Sequence, residues 1–117
     1  MSKILTEISA GELLDKLSIL EIKLNKIKNP SFLQEVKREY DILNKTKNNN
    51  ISSSDKIDIL YKNLKKINEK LWKIENEIRL CEKNSDFNDK FVQLARNVYI
   101  ENDKRSKIKL EINKVLG

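Results

Sequence analysis

The sequence of 117 residues contains no histidine, only one cysteine, one proline and two glycines. The missing histidine excludes a Ser-His-Asp triad, a Cys-His dyad and every metal site that uses an imidazole ligand. A single cysteine cannot form an internal disulfide or a zinc site built only from thiolates. An average chain of this length would hold about eight glycines and about six prolines. The shortage of turn-forming residues argues against a β-sandwich or a β-barrel and favours a few long helices.

Long apolar segments are also missing. The chain has no run of about eighteen apolar residues and no recognisable signal peptide, so we expect no membrane segment and a cytoplasmic location. Apolar residues make up 38% of the sequence, which is enough for one modest core. Together with the length, this favours a single helical domain over residues 1–117. The two glycines are Gly11 and Gly117, so no glycine-rich phosphate loop exists, and we expect no cofactor.

The net charge of +6 comes from 24 basic and 18 acidic residues, which alternate along every segment. Such mixing is typical of a solvated helical surface. The basic residues become dense in only two places: Lys62, Lys65 and Lys66, and then Lys104, Arg105, Lys107 and Lys109. A nucleic-acid-binding surface usually combines a basic stripe on one face with aromatic side chains. We therefore do not expect nucleic acid as a partner.

The apolar periodicity predicts four helices. They cover residues of about 9–28, 30–47, 54–83 and 86–116, and a polar loop occupies residues 48–54. Ser9 and Glu12 have the spacing of a capping box at the start of the first helix. Its apolar stripe consists of Leu13, Leu17, Leu20, Leu24 and Ile27. Asn29 and Pro30 end this helix and begin the second one, with the proline at the first helical position.

The third helix carries the most regular pattern in the chain. Its apolar positions keep a three-four spacing without a fault: Ile57, Leu60, Leu64, Ile67, Leu71, Ile74, Ile78 and Cys81. This is the seam of a left-handed helix pair, and it makes Cys81 a buried apolar residue rather than a nucleophile. The short break at residues 84–86, with Asp86 as the next cap, predicts an antiparallel fourth helix. The predicted fold class is therefore an all-α four-helix bundle with a long antiparallel C-terminal hairpin.

The fourth helix interrupts its own apolar seam with Glu101 and Arg105. A charged residue on a core stripe is costly unless it is paired. Polar residues on the first and third helices face the same region, and the resulting candidate site contains Glu21, Asn68, Trp72, Glu75, Arg79, Glu101, Asn102 and Arg105. One interpretation is an ion-pair network that fixes the register of the bundle. The other is a cleft in which Arg79 and Arg105 bind a small anionic ligand or a protein partner.

The same residues carry a resemblance to a known family. The matching segments are 11–16 with 19–23, Asn68 with 71–75 and 78–79, Phe91 with 95–99, and 102–105. In this arrangement they resemble an uncharacterised family of small bacterial all-helical domains. The resemblance covers nearly the whole chain except residues 44–58, and it implies a bacterial or phage origin. It implies no particular activity.

We expect a non-enzymatic binding or assembly module with no catalytic residue and no metal. The alternative is a Mg²⁺-dependent phosphohydrolase like the all-helical nucleotide pyrophosphohydrolases, which hold the metal with carboxylates from two helices. Glu12 and Asp15 have a suitable i, i+3 spacing. However, Asp15 is predicted to face away from Glu21, so the carboxylates do not converge and an enzyme is disfavoured.

The first helix also predicts self-association. Ile8, Ile19 and Ile22 lie roughly opposite its leucine stripe, with Asp15 among them. A helix that is apolar on two sides must contact two neighbours. Because the second helix is too short to cover the long hairpin as well, we expect a homodimer in which the same surface of each chain buries the other.

Overall fold

The computed structural model describes residues 2–117, which form four α-helices and no strand. The helices are α1 (Ala10–Lys26), α2 (Pro30–Asn50), α3 (Asp55–Lys83) and α4 (Asp89–Leu116). The all-α class and the long C-terminal hairpin are confirmed, because α3 and α4 form the most extensive helix pair of the fold. Within residues 2–117, no helix combines the length and the apolar character that a membrane span requires.

In the first half of the chain, each helix begins directly after its predicted capping residue. The Ser9 side chain accepts a hydrogen bond from the Glu12 backbone N–H, at 3.2 Å, and so caps α1. Glu12 does not complete the expected capping box, because its carboxylate contacts Lys109 of α4 instead. The Asn29 side chain accepts from the N–H of Ser31 at 3.0 Å and caps α2, with proline at the first helical position as predicted.

Two predicted boundaries are wrong. Residues 48–50 are helical, so the loop before α3 shrinks to residues 51–54. The Asn50 side chain donates to the Thr46 carbonyl at 2.8 Å, and the Ile51 N–H donates to the Lys47 carbonyl at 2.8 Å, which closes the last turn of α2. Helix α4 begins at Asp89 with Asn88 as its cap, not at Asp86. Asp86 belongs to the end of α3, because its N–H donates to the Cys81 carbonyl at 2.8 Å.

The turn between α3 and α4 contains the one non-glycine residue of the described chain with a positive φ. Ser85 has φ 51° and follows Asn84, whose N–H closes the last turn of α3 on the Leu80 carbonyl. A left-handed residue directly after a helix reverses the chain direction, and glycine usually takes this position. The turn is tight enough to bring α4 back along α3, and Cys81 is buried at that end of the hairpin, as predicted.

Helix α1 is the centre of the bundle, since it packs against all three other helices. Eight of its 17 residues are buried. Its leucines meet α3 and α4 in one apolar cluster, whose most deeply buried members are Leu14, Leu17, Leu64 and Ile112. In contrast, α2 has no buried residue and its backbone packs only against α1.

The isoleucine side of α1 is not the free surface that the sequence predicted. Ile22 is 3% exposed and Ile19 is half-buried. Ile22 follows Asp15 and Ser18 by seven and four residues, so it shares with them the side of α1 that faces α3 and α4. The chain therefore buries most of this side itself, and Ile8, which precedes the helix, stays 46% exposed.

Gly11 allows α1 and α4 to approach closely. A Cβ atom at this position would lie 2.5 Å from the backbone oxygen of Lys109 and 3.0 Å from the Asn113 side-chain oxygen. The Gly11 N–H donates to that same Asn113 oxygen at 2.7 Å. Any larger residue must push the backbone of α4 away, so the shared register of the two helices depends on this glycine.

We predict that Gly11→Ala lowers the free energy of unfolding by about 1–3 kcal/mol, which is the usual cost of overpacking a tight contact. Helix propensity alone would predict a more stable protein, because alanine favours a helix by about 1 kcal/mol over glycine. The predicted loss of stability therefore reports the close contact with α4. Urea denaturation measures the change, with the exposed Lys16→Ala in the same helix as the control. A Gly11→Ala protein as stable as the parent chain would contradict the close approach.

Candidate functional site

The polar centre of the fold is Asp15 of α1, which is 2% exposed. It follows Gly11 by four residues and precedes Ser18 by three, so all three lie on one side of the helix. Gly11 and Ser18 are small, and they leave room for side chains from α3 and α4 to reach the carboxylate. We call Asp15, Ser18, Asn68, Arg105 and Lys109 the Asp15 cluster.

Arg105 of α4 binds Asp15 at two points. Its Nε donates to Oδ1 at 2.9 Å, and its Nη2 donates to Oδ2. This two-point geometry matches the planar guanidinium to the carboxylate, which a lysine could not do. Lys109 lies one turn further along α4, and its Nζ is 3.7 Å from the same Oδ2. The carboxylate therefore receives two positive charges from one helix.

Asn68 connects the cluster to α3. Its Nδ2 donates to Asp15 Oδ1 at 2.9 Å and to Ser18 Oγ at 2.7 Å. The Ser18 hydroxyl in turn donates to the Asp15 backbone carbonyl at 2.8 Å. One buried carboxylate thus joins α1, α3 and α4, and polar partners occupy both of its oxygens.

The surroundings favour the charged form of both ionic partners. Burial by itself would raise the pKa of Asp15, but hydrogen bonds from Arg105 and Asn68 and the positive charges of Arg105 and Lys109 lower it below its ordinary value of 3.8. The Asp15 hydrogen bond raises the pKa of Arg105 further, although burial opposes this. The pair is therefore ionised at neutral pH.

Asn102 and Glu12 complete the edge of the cluster. Asn102 accepts a hydrogen bond from Arg105 Nη1 at 3.3 Å. Each of the three guanidinium nitrogens consequently donates to an acceptor within the protein. Glu12 lies 2.6 Å from the Nζ of Lys109, so the second cation also has a carboxylate partner. Three of the five N–H groups of Arg105 are therefore used within the protein, which supports the register interpretation of this residue.

The structure divides the eight predicted site residues among separate places. Asn68, Asn102 and Arg105 meet at Asp15. Glu21 is elsewhere, with its Oε2 accepting from the Tyr61 hydroxyl at 2.7 Å and lying 3.6 Å from Lys65. Burial and the Glu21 hydrogen bond strongly raise the pKa of Tyr61.

Glu101 forms another small group on α4. It is 8% exposed, its Oε1 lies 3.3 Å from the Nζ of Lys104, and its Oε2 is buried without a hydrogen-bond partner among the described residues. A buried carboxylate oxygen without a hydrogen-bond partner costs free energy, so Glu101 is a strained position of the fold.

The remaining three predicted residues lie on the flank of α3 beyond Asn68. Trp72 is half-buried, whereas Glu75 and Arg79 are exposed. Arg79 makes one side-chain hydrogen bond, to Asn76 at 3.4 Å. These residues share a helix face with Asn68 but not a common contact, so the region is a polar surface rather than a closed site.

The sequence reasoning missed Asp15 as a site residue. The sequence predicts a leucine-lined core face of α1 and an opposite isoleucine side, and it places Asp15 on the isoleucine side, which is expected to meet a second copy. A signal was present, because Gly11, Asp15, Ser18 and Ile22 keep the same four-three spacing as the leucine stripe. A second stripe of small and polar residues on a central helix indicates a second buried face.

The carboxylates required by a metal-dependent phosphohydrolase do not come together. Within residues 2–117, no three Asp, Glu, His or Cys side chains are grouped as metal ligands would be. Glu12 and Asp15 are directed at Lys109 and Arg105. The oxygen shell proposed for that alternative is therefore not assembled.

Comparison with known proteins agrees with an uncharacterised domain. A family model described as a family of unknown function (DUF6165) matches residues 4–116. No curated protein and no solved structure matches the chain. The expectation of a family without an established activity is confirmed over nearly the whole chain.

We predict that Asp15→Leu and Arg105→Met each lower the free energy of unfolding by about 3–5 kcal/mol, because each leaves one buried charge without its partner. The double variant is expected to be more stable than either single variant, since it leaves neither charge. Chemical denaturation of the four proteins measures the coupling, and Arg38→Met on α2 is the exposed control. Additive losses in the double variant would contradict a coupled pair.

The same pair predicts a loss of stability in acid. The pKa of Asp15 is lower in the folded chain than in the unfolded chain, so its stabilisation is present above about pH 3.9. It is lost as the pH falls through the lower folded value, because the unfolded chain then binds more protons. Urea midpoints measured between neutral and strongly acidic pH should fall less steeply for the Asp15→Leu, Arg105→Met double variant. If the urea midpoints of the parent chain and the double variant fall in parallel with pH, groups other than Asp15 cause the loss of stability in acid.

Proposed function

The chain belongs to this family of unknown function, and we propose that it is a non-enzymatic assembly module that pairs with a second copy of itself through the outer side of α4. The observation that carries the proposal is an aligned row of exposed apolar residues on that side. Exposed apolar residues that are scattered singly need no explanation, but an aligned row on one helix indicates a partner.

The row consists of Val92, Tyr99 and Leu110, which we call the outer stripe of α4. Their exposed fractions are 52%, 55% and 59%. They are separated by seven and eleven residues, and at about 100° per residue each separation returns to within about 20° of the same direction. Leu94 and Ile112, which are buried, face nearly the opposite way. Helix α4 thus has one apolar side that faces the core and a second apolar side that faces solvent.

Charges in and beside the stripe favour an antiparallel pair of α4 helices. Asp103 is exposed within the stripe, between Tyr99 and Leu110, and Arg96 is exposed at its edge. Neither forms an ion pair within residues 2–117. If a twofold axis passes near residue 101, Val92 of one copy faces Leu110 of the other. The same arrangement places Arg96 and Tyr99 of one copy near Asp103 of the other. Opposite charges across a symmetric interface set its register more than its affinity.

The pairing unit is a folded monomer. The core of α1, α3 and α4 is closed within one chain, and its central residues Leu14, Leu64 and Ile112 are fully buried. The outer stripe adds only three large apolar side chains, which is small compared with an obligate dimer interface. We therefore propose a reversible dimer that dissociates in the micromolar range or above, rather than chains that fold only together.

A reducing compartment such as the cytoplasm suits this module. Its one cysteine, Cys81, is a free thiol buried at the end of the α3–α4 hairpin. Stabilising disulfides are typical of oxidising compartments, and this core is closed without one.

We predict that Tyr99→Glu and Leu110→Glu each weaken dimerisation at least about tenfold, because each places a charge in the apolar contact. Sedimentation equilibrium over micromolar to millimolar concentrations measures the association against the monomer mass of 13.8 kDa. Ile42→Glu is the matched control, since Ile42 is 59% exposed on α2, away from the stripe.

Charge reversal tests the register of the pair. Arg96→Asp and Asp103→Arg should each weaken the dimer, and the double reversal should restore it, because the two residues lie within about one helical turn of each other across the twofold axis. A parent chain that stays at 13.8 kDa at every concentration would overturn the proposal.

A further inference from the structure

Lys66 of the first dense basic group meets Lys104 and Lys107 of the second in the folded chain, and Lys70 joins them. Because α3 and α4 are antiparallel, Lys66 and Lys70 of α3 lie across a groove from Lys104 and Lys107 of α4. Ile67 and Ile108 also line the groove, which has a volume of about 430 Å³. It is open to solvent and lies on a different side of α4 from the outer stripe. This juxtaposition joins residues that are about forty positions apart in the chain.

The positive charge of the groove is largely uncompensated. Lys104 is held by Glu101, at 3.3 Å. The other three lysines form no ion pair within the described part of the chain, and no acidic residue lines the groove. Lys66 and Lys70 are four residues apart, and Lys104 and Lys107 are three apart, spacings at which like charges destabilise a helix. A bound anion would relieve this repulsion on both helices at once.

We propose that this groove binds a small ligand of the nucleoside polyphosphate class, with two or more linked phosphate groups and an apolar or flat body. Four ammonium groups on two walls can surround a chain of phosphates from both sides. Lysine binds phosphate as a mobile point charge and needs no fixed geometry, which suits an open groove. The half-buried side chain of Ile108 provides an apolar surface on the floor of the groove against which the body of the ligand can pack.

The groove does not have the features of a nucleic-acid channel. Its lysines span little more than one helical turn on each wall, so it can follow only a short length of a phosphate backbone. No aromatic residue lines it, whereas surfaces that bind single strands stack bases on aromatic rings. The proposed site is also separate from the Asp15 cluster, in which Arg105 is already occupied by Asp15.

Isothermal titration calorimetry on the full chain at low ionic strength tests the proposal with two probes, inorganic tripolyphosphate and ATP. We expect both to bind with one site per chain, ATP more tightly because of its nucleoside. The Lys66→Gln, Lys107→Gln double variant should weaken both at least tenfold. The matched control is Lys37→Gln, Lys45→Gln on α2, which removes the same charge from exposed positions and should change the affinity less than twofold.

Nuclear magnetic resonance locates the site, because the chemical-shift changes caused by ATP should centre on Ile67 and Ile108. Circular dichroism confirms that each variant is folded, and the single variants Lys66→Gln and Lys107→Gln replace the double one if it is not. No heat with either probe would overturn the proposal. Equal losses in the groove and control variants would overturn it too, because they would reflect net charge alone. Binding of a long single-stranded RNA without binding of ATP would assign the lysines to nucleic acid instead.

Discussion

The fold depends on one buried ionic contact, the pair formed by Asp15 and Arg105. A carboxylate that is 2% exposed is tolerated only if its charge is matched and its oxygens are hydrogen-bonded. Arg105 supplies the charge and two hydrogen bonds, and Asn68 supplies a third. Since these residues come from three helices, the requirement can be met at only one relative position of α1, α3 and α4. Leucine and isoleucine contacts alone would permit a shift by one turn, because the apolar spacing repeats along each helix.

Other features of α1 follow from the same requirement. The helix must approach α4 closely enough for the short Asp15 side chain to reach Arg105, and this explains the glycine one turn earlier at position 11. The Gly11 and Asn113 hydrogen bond and the Glu12 and Lys109 ion pair continue the contact towards the start of α1. Helix α2 is not part of this arrangement. It covers α1 with half-buried residues only, so it adds apolar burial without constraining the register.

The sequence was sufficient for the features that depend on local chemistry. The α3 seam, the Ser9 and Asn29 caps and the antiparallel hairpin all follow from short-range patterns. Counting outward from the turn at Ser85 places Asn68 near Asn102 and Lys65 near Arg105, about one turn away from the observed meeting of Asn68 and Arg105 at Asp15. Asp15 could not be placed in this way. Asp15 is buried because α1 has three helical neighbours. The periodicity of a helix shows which of its sides are apolar, but it does not show how many of those sides are covered by other helices. Small and polar residues on a buried side look like an exposed side until the neighbouring helices are known.

The pairing within the Asp15 cluster affects where this domain can act. Asp15 is hydrogen-bonded by Arg105 and Asn68, and Lys109 lies beside Asp15 and Glu12, so each charge of the cluster has an internal partner. The distinctive features outside the cluster lie on the surface, and α4 contributes most of them. Its inner side carries Arg105, one flank carries Lys104 and Lys107, and the outer side carries the apolar stripe. Because the Asp15 contact fixes the rotation of α4 about its own axis, it also fixes which way the lysine flank and the stripe face. A residue that binds nothing outside the chain thereby determines the orientation of both surfaces.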